Sequence, residues 1–185
     1  MKIRTACKAD MPQIAKLHSK SWQDIYRGEL SHIYLTRDIY QDRYQVWQQR
    51  FQQPLTNQRI FVACDNNEKT ILGFICFYLN NHPQWGTLIE NLHIDKSCKG
   101  RGVGKQLLQT AARLSYEEYT AHGMYLEVQA SNTGAQAFYQ KFGARHCKTQ
   151  QWQAPDGSLV NEYVYRWDSA DHLKLSMPHT IRAAN

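Results

Sequence analysis

The chain has 185 residues, 42% apolar and 21% charged, close to globular averages, and that length suits one compact domain whose core needs no disulfide or metal. Its longest apolar run, Ile71 to Leu79, falls well short of the roughly 18 residues of a membrane-spanning helix, and the opening MKIRTACKADMPQ lacks the apolar centre of a secretory signal, so a cytoplasmic protein with no membrane partner is expected. Lys and Arg number 22 against 16 Asp and Glu, a formal charge of +6 that invites an anionic partner; without a basic tail, a phosphorylated small molecule held by a local cluster accounts for it as well as nucleic acid does.

Met1 to Ala6 reads as a first strand. Asp10 before Met11-Pro12 has the form of an N-cap with proline in the first turn, and Met11, Ile14, Leu17, Trp22 and Ile25 follow a helical period, which predicts a helix to about Trp22. Thr36 is a second candidate N-cap, and Tyr40, Tyr44, Trp47 and Phe51 predict a helix that ends before Pro54. RIFVACD, ILGFICFYL and TLIENLHID then read as three successive strands. A helix follows from Gly104 to Ala121, with Gly123 as its candidate C-cap. Strand MYLEVQA, helix Thr133 to Phe142 closed by Gly143, and strands KTQQWQ and NEYVYRW around an A-P-D-G turn complete the order. The expectation is one domain over residues 1–167, with a polar tail or loosely docked extension over 168–185. The mixed element order implies an α/β or α+β layered fold in which the Leu88 to Ala130 strand, helix, strand unit forms a parallel pair.

The five cysteines, Cys7, Cys64, Cys76, Cys98 and Cys147, are scattered without a C-x-x-C pair, and the eight histidines form no H-E-x-x-H. The expectation is free thiols, a reducing compartment and no metal. Chemistry concentrates instead at Lys96-Ser-Cys-Lys-Gly-Arg-Gly-Val-Gly-Lys105, a strand-to-helix loop with four cations and no carboxylate. Its glycines allow the backbone to turn with positive φ where needed, and a helix start with free N–H groups attracts anions. The loop suits a pyrophosphate; a tight turn with a solvated basic rim is the plainer reading. It matches neither the P-loop nor the dinucleotide-binding pattern. Cys98 beside it reads as an incidental surface thiol.

K-G-R-G-V-G followed by L-E-V-x-x-S-N-x-x-A-x-x-F-Y-x-x-x-G resembles the two central motifs of the GNAT-type N-acetyltransferases, in order and separated by a helix. The loop departs from the family's usual Arg or Gln at its first position, where Lys99 stands. The resemblance implies a mixed, mostly antiparallel central sheet with one splayed parallel strand pair and helices on both faces. It implies acetyl-CoA as donor, an amine as acceptor, and attack in a cleft between the strands read as Leu88 to Asp95 and Met124 to Ala130. Leu92, His93 and Ile94 would then contact the pantetheine arm, with a backbone N–H among them stabilising the oxyanion. Lys99, Gly100, Arg101, Gly102, Val103, Gly104 and Lys105 would hold the pyrophosphate, and Asn132 would meet the cofactor. His93 has a plainer reading as a strand-face histidine with no role.

The amine must lose a proton before or as it attacks. Glu127, out of step with Met124, Leu126 and Val128, and Glu90 on the preceding strand are the candidate bases, with a water relay as the alternative. Tyr139 holds the F-Y position, where the resemblance implies a phenol that protonates the leaving thiolate; the alternative is a core aromatic. Trp22, Tyr26, Tyr40, Tyr44 and Trp47 read mostly as core, with Trp22 and Tyr26 placed to wall the acceptor. The acceptor is a small molecule or peptide amine, and a homodimer is compatible with the sequence. A non-catalytic acyl-CoA-binding sensor or partner-binding module of the same fold is the alternative function.

Overall fold

In the computed structural model, residues 1–119 and 123–170 are described. Seven strands form one sheet in the order β1-β2-β3-β4-β5-β7-β6, with β1 at Lys2–Thr5, β2 at Gln58–Cys64, β3 at Ile71–His82, β4 at Gly86–Ile94, β5 at Met124–Gln129, β6 at Arg145–Gln153 and β7 at Leu159–Trp167. All neighbours are antiparallel except β4 and β5. The expected mixed sheet with one parallel pair is therefore present. The parallel pair arises because a helix, α3 at Val103–Glu118, intervenes between its strands and returns the chain to the same edge.

The strand period of two sends alternate side chains to opposite faces. Ile75 and Phe77 of β3 pack under α3 and the shorter α4 (Thr133–Lys141), together with Leu107, Leu108, Leu126 and Trp167. Phe74 and Cys76 point the other way, against α1 (Met11–Ile25) and α2 (Ile39–Gln52), where Ile14, Ala15, Leu17 and Trp47 close a second core. Helices thus cover both faces, as the continuous apolar run of β3, buried on both sides, requires. Tyr40 is exposed at 44% and does not belong to either core. No helix among the described residues is long and apolar enough to cross a membrane.

Several local expectations are corrected. Asp10 holds the N-cap position of α1, with proline in the first turn as expected, but its side chain is not the cap: it is buried, accepts two hydrogen bonds from Arg4 at 2.7 and 2.8 Å and one from the Cys7 N–H at 2.8 Å, so the β1-to-α1 connection is built on an ion pair. Thr36 is not an N-cap either. The chain is already helical from His32 and passes through a π-turn at Tyr34–Asp38, and the Thr36 hydroxyl donates back to the His32 carbonyl at 2.7 Å. The helix α3 is capped at Tyr119, not at Gly123; the predicted end at Ala121 lies outside the described residues. Gly123 has a different reason to be glycine, since a Cβ there would sit 1.9 Å from the Trp167 carbonyl oxygen. Cys98 is buried at 3% exposure, not on the surface. Past Trp167, Asp168 pairs with Arg145 and with Arg166, and Ala170 is buried in the α3–α4 core; the rest of the expected tail, residues 171–185, lies outside the described residues.

Candidate active site

The site begins with one extra residue. Strand β3 pairs Cys76 with Asn91 and Phe77 with Ile89, which leaves Glu90 as a bulge in β4. The bulge turns two successive side chains to the same face: Arg50 of α2 donates to Glu90 at 2.7 Å and to Asn91 at 2.5 Å. It also redirects the strand. β4 runs beside β5 only from Thr87↔Met124 to Ile89↔Leu126, whereas β5 stays paired with β7 as far as Gln129↔Glu162. Beyond Ile89 the two parallel strands have separated, and the β4 edge from Asn91 to Ile94 has no ladder partner on β5.

The separation opens a cleft of about 230 Å³ lined by residues from both faces of the sheet. On the α3–α4 side it meets Leu92, Val128, Asn132, Ala135 and Tyr139; on the α1–α2 side it meets Trp22, Tyr26, Arg43, Trp152 and the carboxylates Glu90, Glu127 and Glu162. The two ends differ in chemistry. At the first, the cation-bearing loop lies where β4 ends: Gly102 caps α3 with φ of +81°, and the first intrahelical bond runs from the Gln106 N–H to the Gly102 carbonyl, so the N–H groups of residues 103–105 have no acceptor inside the helix. Lys99 and Arg101 are exposed and Lys105 is half-buried there, while Lys96 is engaged by Asp24 at 2.7 Å. Val103 is buried and can offer only its backbone. Gly104 does not have positive φ; a Cβ there would press on the Phe138 ring at 3.3 Å, so its role is close packing of α3 on α4. Asn132 caps α4, its side-chain oxygen accepting from the Ala135 N–H at 3.2 Å.

Tyr139 is 8% exposed and edge-on to Phe138 and Trp167. Burial holds its phenol well above the ordinary value, so the hydroxyl stays protonated and available as a donor. Its neighbours make it a fixed aromatic of the α3–α4 core, and it also lines the cleft.

At the second end, Trp22, Tyr26 and Trp152 form an aromatic corner with ring centroids 4.8 to 6.0 Å apart. The three carboxylates face it in unequal states. Glu90 is ion-paired with Arg50. Glu127 is exposed and accepts a hydrogen bond from Gln150 at 2.8 Å. Glu162 is 7% exposed, and burial pushes its carboxyl up from 4.5 to about 7, with the charges of Glu127 and Glu90 adding to the rise against a hydrogen bond from Gln150. A carboxyl in this state can take a proton near neutral pH. His93 is lowered to about 3 by burial and by Arg43, and its ring lies tilted against those of His18 at 4.6 Å and Phe74 at 5.3 Å. Its imidazole is neutral and packs against His18 of α1.

The structure brings Glu127, Glu90, Tyr139, Leu92, His93 and Asn132 to one cleft; Ile94 and the Lys99 to Lys105 loop follow them along the chain and are not among its lining residues. Sequence reasoning missed Glu162, Arg43, Gln129 and Trp152. One signal was present for Glu162: it is in step with Val160 and Val164, which are buried, and a carboxylate on a buried strand face calls for an explanation. Among the described residues no group of three or more His, Cys, Asp or Glu could hold a metal ion.

A family model described as the acetyltransferase (GNAT) family matches residues 19–144. A protein of Methanocaldococcus jannaschii described as an uncharacterized N-acetyltransferase is 31% identical over 86 residues, 46% of this chain and 55% of that one. An N-alpha-acetyltransferase of Sulfurisphaera tokodaii is 29% identical over 98 residues, 46% of this chain and 59% of that one. The match thus spans somewhat over half the length of each curated relative. Among solved structures, the PaiA N-acetyltransferase of Thermoplasma acidophilum, in complex with coenzyme A, superposes with a TM-score of 0.64 at 19% identity, covering 87% of this chain and 96% of that one.

Proposed function

The chain belongs to the GNAT acetyltransferase family, and on that premise we propose that it transfers an acetyl group from acetyl-CoA to a primary amine by direct attack in a ternary complex. The observation that carries this reading is the cleft through the sheet. Beside the end of β4 stands a helix start with free N–H groups and exposed cations, and the cleft itself carries carboxylates with an aromatic corner, an arrangement that suits two substrates of opposite charge.

The residues present fit acetyl-CoA. Backbone N–H groups of residues 103–105, with Lys99, Arg101 and Lys105 around them, suit a pyrophosphate; the unpaired β4 edge from Leu92 to Ile94 offers hydrogen bonds to an amide-bearing arm, as a third strand would. What acetyl-CoA supplies is an activated thioester. Glu162 is placed to accept the proton that the ammonium loses, and Glu127 and Glu90 hold negative potential at the entrance, which draws a cation inward. The amine nitrogen bonds to the carbonyl carbon, the carbon–sulfur bond breaks, the Tyr139 hydroxyl gives its proton to the departing thiolate, and the second proton, which the nitrogen sheds as the amide forms, restores the Tyr139 phenol. Residues 1–167 form the catalytic domain in this reading.

The test is a thiol-release assay with acetyl-CoA and a panel of amines, read beside a thermal melt with CoA. Ligand at about 100 times its Kd adds roughly 2.7 kcal/mol, which for a chain of this size is a rise of roughly 5 °C or more. A flat melt at millimolar CoA overturns the reading. A shifted melt with no acetylated product for any amine leaves an acyl-CoA-binding module instead.

A further inference from the structure

Three polar side chains on the α1–α2 side of the cleft are buried, and two of them carry polar atoms without a partner. Gln129 is 3% exposed, and among the described residues neither its Oε1 nor its Nε2 has a hydrogen-bond partner. Arg43, 8% exposed, spends Nη2 on Asp42 at 3.0 Å and lies over the Trp22 ring at 4.1 Å, while its Nε has no partner. Glu162 faces Gln129 directly across the β5–β7 pair, a separation of about 5 Å between Cβ atoms. All three line the same cleft. Buried polar groups without partners are costly and rare, and two in one cleft point to a ligand that completes them.

We propose that the acceptor is the amino terminus of a peptide chain, held at its α-nitrogen by Glu162 and read at its first peptide unit by Gln129 and Arg43. The proposal rests on the acetyl-transfer reading above. A peptide unit has one N–H and one C=O, the complement of the donor and acceptor that Gln129 leaves unused. The α-nitrogen and the first carbonyl are two bonds apart, as neighbouring cross-strand side chains require. Charge then separates the peptide from its rivals. Asp42 neutralises Arg43, so the free Nε–H suits a neutral carbonyl oxygen; a free amino acid would bring a carboxylate toward Glu90, Glu127 and Glu162. A polyamine has no acceptor to offer Arg43 and none for the Gln129 amide N–H, and would leave both unpaired in the complex.

A path for the rest of the peptide is also present. Gln129 runs directly into Ala130 and Ser131, and Glu162 is preceded by Asn161; these residues, with Gly28, Glu29 and Leu159, line a shallow groove of about 520 Å³. Leu159 is 65% exposed there, an apolar contact for a side chain after the first residue.

The experiment compares kcat/KM at saturating acetyl-CoA for a tetrapeptide beginning with alanine, the same peptide N-terminally blocked and carrying one lysine, free alanine, propylamine and spermidine, with products read by mass. The free-terminus tetrapeptide is expected to exceed propylamine on the order of 10²-fold or more, because a site built for hydrogen bonds rejects a ligand that lacks them. Gln129→Met is expected to raise the peptide KM about tenfold with kcat nearly unchanged, to lower the peptide-to-propylamine ratio, and to weaken peptide binding to the CoA complex in calorimetry, with the CoA-induced melt shift retained as proof of folding. Equal or better use of spermidine, propylamine, free alanine or the lysine peptide overturns this proposal and leaves acetyl transfer standing. Failure of every amine overturns both.

Discussion

Glu162→Gln removes one ionisable oxygen and keeps shape and burial, so its effects report the carboxyl's charge. In the fold the carboxyl titrates at about 7 instead of 4.5, and at 1.36 kcal/mol per pKa unit that difference is at most about 3 kcal/mol. The sign follows from where the proton sits. Between these two values the unfolded chain has lost the proton and the folded chain has kept it, so stability is complete below 4.5 and declines as pH rises through 7. The Gln variant has no such decline. At 2–4 °C per kcal/mol for a chain of this size, its melting temperature is expected to exceed that of the wild type by several degrees at pH 8 and by little at pH 4.5. Activity moves in the opposite direction. The rising limb of kcat/KM against pH, expected to inflect near 7 in the wild type, is expected to be lost, and the rate at pH 7 to fall by about 10² or more, the usual worth of a general base. Parallel melting profiles for the two proteins, together with an unmoved rising limb, would refute the assignment of a raised, proton-accepting carboxyl at this position.

Glu127→Gln removes the neighbouring charge that helps to raise Glu162, and is expected to move the rising limb toward lower pH with a smaller loss of rate than Glu162→Gln; a larger loss would make Glu127 the base. Tyr139→Phe keeps the ring against Phe138 and Trp167, and is expected to lower kcat toward the small end of the 10² to 10⁴ range of acid assistance with CoA affinity unchanged, whereas an unchanged kcat with a lowered melting temperature would return the residue to the core. Gly102→Val forces a β-branched residue into φ of +81° at the start of α3, and calorimetry is expected to show CoA binding weakened at least tenfold; unchanged affinity would remove the loop from the site.

The elements and the glycine- and cation-rich loop were legible in the sequence because their causes are local. A glycine loop before a helical period, the continuous apolar run ILGFICFYL, the A-P-D-G turn and the aromatic spacing of α2 each express themselves within a few residues. Local reading failed where a distant partner decides. Asp10 has the form of a cap, but Arg4 claims it. Gly123 has the form of a helix stop, but the Trp167 carbonyl is what excludes a side chain.

The carboxylate side of the cleft is the largest case of this kind. The resemblance of the K-G-R-G-V-G and N-x-x-A-x-x-F-Y segments named a chemistry, and Glu90 and Glu127 could be placed on the two right strands. Nothing within β4 marks Glu90 as the bulge, because a bulge exists only against the register of β3. Glu162, Gln129 and Arg43 lie far apart in the chain and become one site only because β7 inserts between β5 and β6 and α2 packs behind β4. Sequence determines the period, the caps and the charge of each segment. Which buried groups go unpaired, and so what the cleft can hold, is a property of pairings made across more than a hundred residues, and only the folded sheet decides it.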